Sequence, residues 1–186
     1  LPVFDGEKLK VTFFSFMLLK NALITFHDEN IQLLEIQNFL LDADMGKSLR
    51  HRGVDFLSYR IMLEISEKFN GILKDIENKL DLLEDEIIED PQKDVMNRIF
   101  KYKKMLVLFR HVLRDNQEVV GLIEKGYAPQ IKGGNLTYFG ELYNRFIHML
   151  DLEESYEDVL TSSLDVYLSS LSTRLNEAVR KLTVLA

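Results

Sequence analysis

Cysteine is absent from the 186 residues, so disulfides, thiolate metal sites and cysteine nucleophiles are excluded. A basic excess is also lacking. Lys and Arg number 23 against 30 Asp and Glu, a formal charge of -7. That balance speaks against nucleic-acid binding, which needs a positive footprint, and suits a surface that attracts cations. No stretch reaches the ~18 uninterrupted apolar residues of a membrane span. The opening Leu1-Pro2-Val3-Phe4-Asp5-Gly6 has neither the basic region nor the apolar run of a signal peptide. It also lacks an initiating Met, and the sequence reads as a piece of a longer chain. What is present, 46% hydrophobic and 28% charged residues, is enough for one or two domains with a real core.

The fold class expected is α+β and predominantly helical. Val11–Phe16 and Ala22–Phe26 are aromatic and β-branched, with Lys20-Asn21 as the turn between them. Two strands alone are marginal, so they are expected to belong to a larger sheet. From Ile31 the period becomes 3.6. Ile31, Leu34, Ile36, Phe39 and Leu40 suggest a first helix ending near Gly46. A second begins near Gly53, with an apolar stripe through Ile61, Ile65, Phe69, Ile72, Ile76, Leu80, Leu83 and Ile87. Asp90-Pro91 stops it and starts a third helix running to about Lys125. In that third helix Val95, Ile99, Met105, Leu106, Leu108, Phe109, Leu113, Val120 and Ile123 are expected inward. Gly126 to Gly134 reads as a loop, with Asn135 as the cap of the last helix. The segments expected are therefore 1–52 (the end of an α/β domain), 53–134 (paired long helices) and 135–186 (a stalk helix).

Charge is sorted by sign along the paired helices. Acids dominate from Glu64 to Asp90, whereas Arg98 to Arg114 carries only basic charge. An antiparallel hairpin would lay the acidic helix beside the basic one. Each exposed pair is worth only a few tenths of a kcal/mol, so the effect falls on register and partner choice.

The last helix has no proline, and no glycine after Gly140. At ~1.5 Å per residue it would be roughly 75 Å long and would need support along its length. Asp165, Ser169, Ser172, Asn176, Val179 and Thr183 recur in steps of four and three and stay within about 40° of one line. Leu164, Leu168, Leu171, Leu175 and Leu182 flank them. The pattern fits a ring of parallel helices sealed by leucine, with the polar stripe lining an axial passage for a hydrated cation. A buried C-terminal helix with alternating Leu and Ser is the plainer alternative. Arg180-Lys181 ahead of Leu182-Thr183-Val184-Leu185-Ala186 has the form of the cytoplasmic border of a membrane helix.

The stretch Asp165-Val166-Tyr167-Leu168-Ser169-Ser170-Leu171-Ser172-Thr173-Arg174-Leu175-Asn176-Glu177-Ala178-Val179-Arg180-Lys181-Leu182-Thr183 closely resembles the stalk helix of CorA magnesium channels. Asp55-Phe56-Leu57-Ser58-Tyr59, Leu80 through Pro91, and Tyr138-Phe139-Gly140-Glu141-Leu142-Tyr143 extend the resemblance over nearly the whole chain. The family implies a homopentamer at the cell membrane, its cytoplasmic funnel built of five stalk helices. The membrane is reached only through C-terminal helices absent here. The family also implies a channel gated by Mg²⁺ that passes or binds Co²⁺ and Ni²⁺. By the same resemblance Glu141 matches the metal-sensing acid of the stalk, and a further acid aligns near Leu63 and Glu64. Asp165, Asn176 and Val179 match pore-lining positions, Asp165 as a further candidate metal ligand.

Other signals are weaker. Gly46-Lys47-Ser48 ends like a phosphate-binding loop, but Leu41 stands where glycine is required. His27, His51, His111 and His148 lack the spacing of a zinc-protease or di-iron site. The acid run Asp151, Glu153, Glu154, Glu157, Asp158 reads as a solvated face or a cation-concentrating surface. No nucleophile–base pair can be assembled, so an enzyme is not expected. A soluble coiled-coil scaffold is the competing functional class.

Overall fold

The computed structural model describes residues 1–5, 8–28, 31, 33–42, 47, 51–89 and 93–185. The elements are strands β1 (Pro2–Asp5), β2 (Lys8–Val11), β3 (Phe14–Leu18) and β4 (Leu23–His27), followed by helices α1 (Leu34–Leu41), α2 (Val54–Glu89), α3 (Lys93–Glu124) and α4 (Leu136–Leu185). A 3₁₀ turn, Gly133–Asn135, leads into α4. The chain thus carries short strands at its start and long helices after them, as expected.

The β unit differs from that expectation in its strand divisions and pairing. β3 and β4 form the anticipated hairpin, Leu18 facing Leu23 and Phe14 facing His27, with the turn closed by the Leu19 N–H donating to the Ala22 carbonyl at 2.8 Å. Across it the Phe14 and His27 rings stack 5.2 Å apart. Pro2–Asp5 pairs with Lys8–Val11 as a second hairpin. Among the described residues there are therefore two sheets of two strands, not one larger sheet. β1, only four residues long and opening on a proline, was not anticipated, and the expected strand Val11–Phe16 divides, Val11 ending β2 and Phe14 starting β3.

The helices form two compact units. The first comprises Leu1–Ile72 with Phe109–Leu150, the second Leu73–Leu108 with Asp151–Ala186. In the first, Phe69 packs between Phe109 at 5.6 Å and Phe146 at 5.8 Å, ring centre to ring centre. All three are essentially inaccessible, the sum of a 3.6-residue period on three helices whose stripes converge. In the second, the stripe continues through Ile76, Leu80, Leu83 and Ile87 against Val95, Ile99, Leu106 and Leu160, all buried. The Arg98–Glu86 ion pair joins α2 to α3 there, as the sorting of charge by sign predicts. Leu108, expected inward, is instead 37% exposed.

α1 ends at Leu41, short of the expected Gly46, whereas α3 ends where the sequence indicated. Gly126, at φ 82°, closes α3: its N–H donates to the Ile123 carbonyl at 2.9 Å, and that of Tyr127 to the Leu122 carbonyl at 3.1 Å. This is the paired terminal bonding that a left-handed glycine permits. Gly46 and the Asp90-Pro91 stop lie outside the described residues.

Candidate functional site

The carboxy-terminal third of α4 carries the stripe. Tyr156, Leu160, Ser163 and Tyr167 are buried in the second unit, and so mark the side of α4 that faces α2 and α3. At 100° per residue Ser169 lies about 180° from Leu160, so the stripe points away from the hairpin. Asp165, Ser169, Ser172, Asn176, Val179 and Thr183 are all exposed. Beside them Leu168, Leu171, Leu175 and Leu182 are 40 to 68% exposed, a continuous apolar edge. The Thr183 hydroxyl donates to the Val179 carbonyl of its own helix at 2.9 Å, leaving its oxygen as an acceptor. Asp165, Ser169, Asn176 and Thr183 together offer oxygens to the outward-pointing hydrogens of a hydrated cation.

Glu141 stands in the first unit, exposed, at the beginning of α4. Its negative charge reaches the buried Tyr59: burial raises that phenol's pKa first, and Glu141 raises it further. Tyr59 packs against Tyr138 at 5.2 Å and Phe139 at 5.8 Å, so the first turn of α4 is fixed on α2 by aromatic contact.

A buried carboxylate fixes the same region. Asp55 is 1% exposed and accepts from the Lys132 N–H at 3.0 Å and the Asn135 amide at 2.7 Å, with the Lys132 ammonium 3.9 Å away. Burial raises its pKa, but these donors and the Lys132 charge prevail and hold it below the usual carboxylate value. Gly53 makes the approach possible. At φ +100° it accepts a backbone strained for other residues, and a Cβ there would lie 2.7 Å from Lys132 Nζ and 2.8 Å from Asp55 Oδ1. Asn135, at the start of α4, donates its side-chain amide to Asp55.

Glu64 has a different occupation. It is 8% exposed, and its Oε2 accepts the Ile36 N–H at 3.0 Å. α1 has no side-chain cap of its own at Leu33, so Glu64 supplies from α2 the acceptor that the helix start lacks.

Comparison with known proteins decides the family. A model described as CorA-like Mg2+ transporter protein matches residues 2–186. The chain belongs to the CorA-like Mg²⁺ transporter family. Two curated relatives, both called cobalt/magnesium transport protein CorA, are 29% identical over 98% of this chain (Methanocaldococcus jannaschii) and 28% identical over 92% (Thermotoga maritima). The chain covers 57% and 49% of their lengths, so it spans about half of each. The solved complete structure of the M. jannaschii CorA magnesium transporter superposes with a TM-score of 0.70 at 24% identity, over 100% of this chain and 62% of that one. The likeness establishes that the CorA fold is shared. The family is one of transporters, in keeping with the sequence's failure to assemble an enzyme site.

Within this chain the candidate residues fall in two places. Glu141 and Glu64 are in the first unit; Asp165 and the stripe are in the second. Among the described residues no three His, Asp or Glu side chains are grouped to hold a metal ion. As single ligands, Glu141 and Asp165 fit a hard cation, being exposed carboxylates, whereas the Glu64 carboxylate is already engaged by a backbone N–H. No described helix is long and apolar enough to cross a membrane. The sequence reading missed the Gly53–Asp55–Lys132–Asn135 network, whose only advance signal was an acid in the first turn of a helix behind a glycine. The acid run of α4 also divides: Asp151, Glu154 and Asp158 are exposed while Glu153 turns inward, 1% exposed.

Proposed function

We propose that this chain is the cytoplasmic regulatory and funnel part of a divalent-cation channel at the cell membrane, conducting Mg²⁺ and admitting Co²⁺ or Ni²⁺. Five copies place their α4 helices side by side, and segments beyond this sequence form the membrane pore. The observation that carries the reading is the two-sided end of α4. Its oxygen-bearing stripe is turned away from α2 and α3, and exposed leucines border it. Leucines meeting between copies would leave the stripe around an axis, where Asp165 and Asn176 rings attract a hydrated cation.

Sensing belongs to Glu141. Mg²⁺ prefers carboxylate oxygen and keeps much of its water, so a site built from Glu141 and acids of a neighbouring copy is a weak, reversible clamp. Glu64 is left out because its carboxylate holds α1. When cytoplasmic Mg²⁺ falls, like charges face one another and the copies separate; repetition over five interfaces turns a modest energy per site into a population shift. The test is limited proteolysis of the full-length protein with and without Mg²⁺. Mg²⁺ should protect the parent assembly, and Glu141→Ala should lose most of that protection. Unchanged protection in the variant would refute the sensing role.

A further inference from the structure

The second unit has two unlike flanks. On α3, Met96, Phe100 and Val107 are 40, 51 and 47% exposed. They lie within about 40° of one another at 100° per residue. The Lys103 ammonium borders this strip, donating to the Thr161 hydroxyl of α4 at 2.8 Å, and Lys104 is exposed beside it. Single exposed apolar residues need no explanation, but three aligned with basic charge form a face. The other flank, between α2 and α4, holds an 80 Å³ groove lined by Glu84, Ile87, Ile88, Ser162, Ser163 and Val166. Ile88 is 75% and Val166 51% exposed there.

We propose that these flanks are two halves of one interface: the Phe100 strip of one copy seats in the Ile88–Val166 groove of a second copy of this chain. The proposal rests on the ring of α4 helices described above and adds a contact outside it. Three observations favour a second copy as the occupant. Charge is complementary, with Lys103 and Lys104 on the strip and Glu84 in the groove. The flanks diverge, since Thr161 on the α3 side and Val166 in the groove are about 140° apart around α4. Their levels also agree. Lys103 is level with Thr161, and α3 runs antiparallel to α4, which puts Phe100 near residue 164, at the groove's own height. Rotation about an axis parallel to α4 preserves height, so strip and groove meet without sliding. Two different complementary faces make a heterologous contact, which closes into a ring when the rotation permits.

The absence of cysteine makes the test direct. Phe100→Cys and Ile88→Cys chains are expressed separately and together, then treated with a short bismaleimide. Asn176→Cys, on the axial stripe, reports the α4 ring independently by cross-linking to itself. The expected result is no cross-linked dimer from either flank variant alone and a strong dimer from co-expressed chains. A chain carrying both changes should give a ladder, and adding Lys104→Glu should lose most of it. Absence of the mixed dimer while Asn176→Cys cross-links would overturn the inference and leave the ring standing. Self-cross-linking of Phe100→Cys alone would overturn it too, since like faces would then be meeting. A mixed dimer without Asn176→Cys cross-linking would uphold the flank pairing and refute the axial ring.

Discussion

Asp55 is a charge held in the interior because three donors surround it. Its pKa is depressed in the folded state, so its contribution is fully present above the unfolded carboxylate value, near 3.9, and is lost as pH falls through the lower folded value. Asp55→Asn should therefore flatten the fall in stability below about pH 4, read as the difference between parent and variant urea midpoints across acid pH. Asp55→Ala leaves buried donors unpaired and should cost about 1–3 kcal/mol at neutral pH. Tyr59 offers a second readout. Burial and then Glu141 raise its phenol, so Glu141→Gln should let that tyrosine ionise at lower pH. Tyrosinate absorbance would show it, with Tyr59→Phe identifying the transition. A cation bound at Glu141 should move it in the same direction.

At the scale of elements, two left-handed glycines predict different penalties. A Cβ at Gly126 meets nothing within 4 Å, while one at Gly53 collides with Lys132 and Asp55. Gly126→Ala should cost only the conformational strain, about 1–2 kcal/mol, and Gly53→Ala distinctly more, by thermal or urea denaturation. Phe69→Ala, removing a ring locked between two others, should cost about 3–5 kcal/mol. These elements differ in how far they could be read beforehand. The helices were legible because every position of the α2 stripe is buried and a 3.6-residue period over 36 residues admits no second interpretation. Leu108 misled because it sits in an apolar run, although at 100° per residue it lies about 200° from the buried Leu106, on the outer side of the helix. Glu64 and Asp55 were opaque for a related reason: their partners, Ile36, Lys132 and Asn135, are 28 to 80 residues away, and only folding brings them together.

For the whole molecule, the proposed association rests on the apolar edge of α4. In the proposed ring Leu168 and Leu175, 50 and 65% exposed, lie at the contact between copies. Leu168→Glu with Leu175→Glu should shift sedimentation toward the monomer while leaving helix content by circular dichroism unchanged; loss of helix instead would make the leucines internal supports. The stripe itself was readable from sequence because its six positions share one side of a single helix and need no tertiary knowledge. Glu141 was not separable from other exposed acids by pattern; resemblance alone singled it out.

The 50 residues of α4 also have a mechanical consequence. Within the second unit, Asp165 and Thr183 are roughly 27 Å apart along this helix. A tilt of about 5° at the level of Asp165 would sweep the Thr183 end sideways by about 2 Å, as a lever converts a small angle into a longer stroke. In the proposed ring, five such tilts would widen or narrow the passage at its Thr183 end, with no change of shape along the helix between.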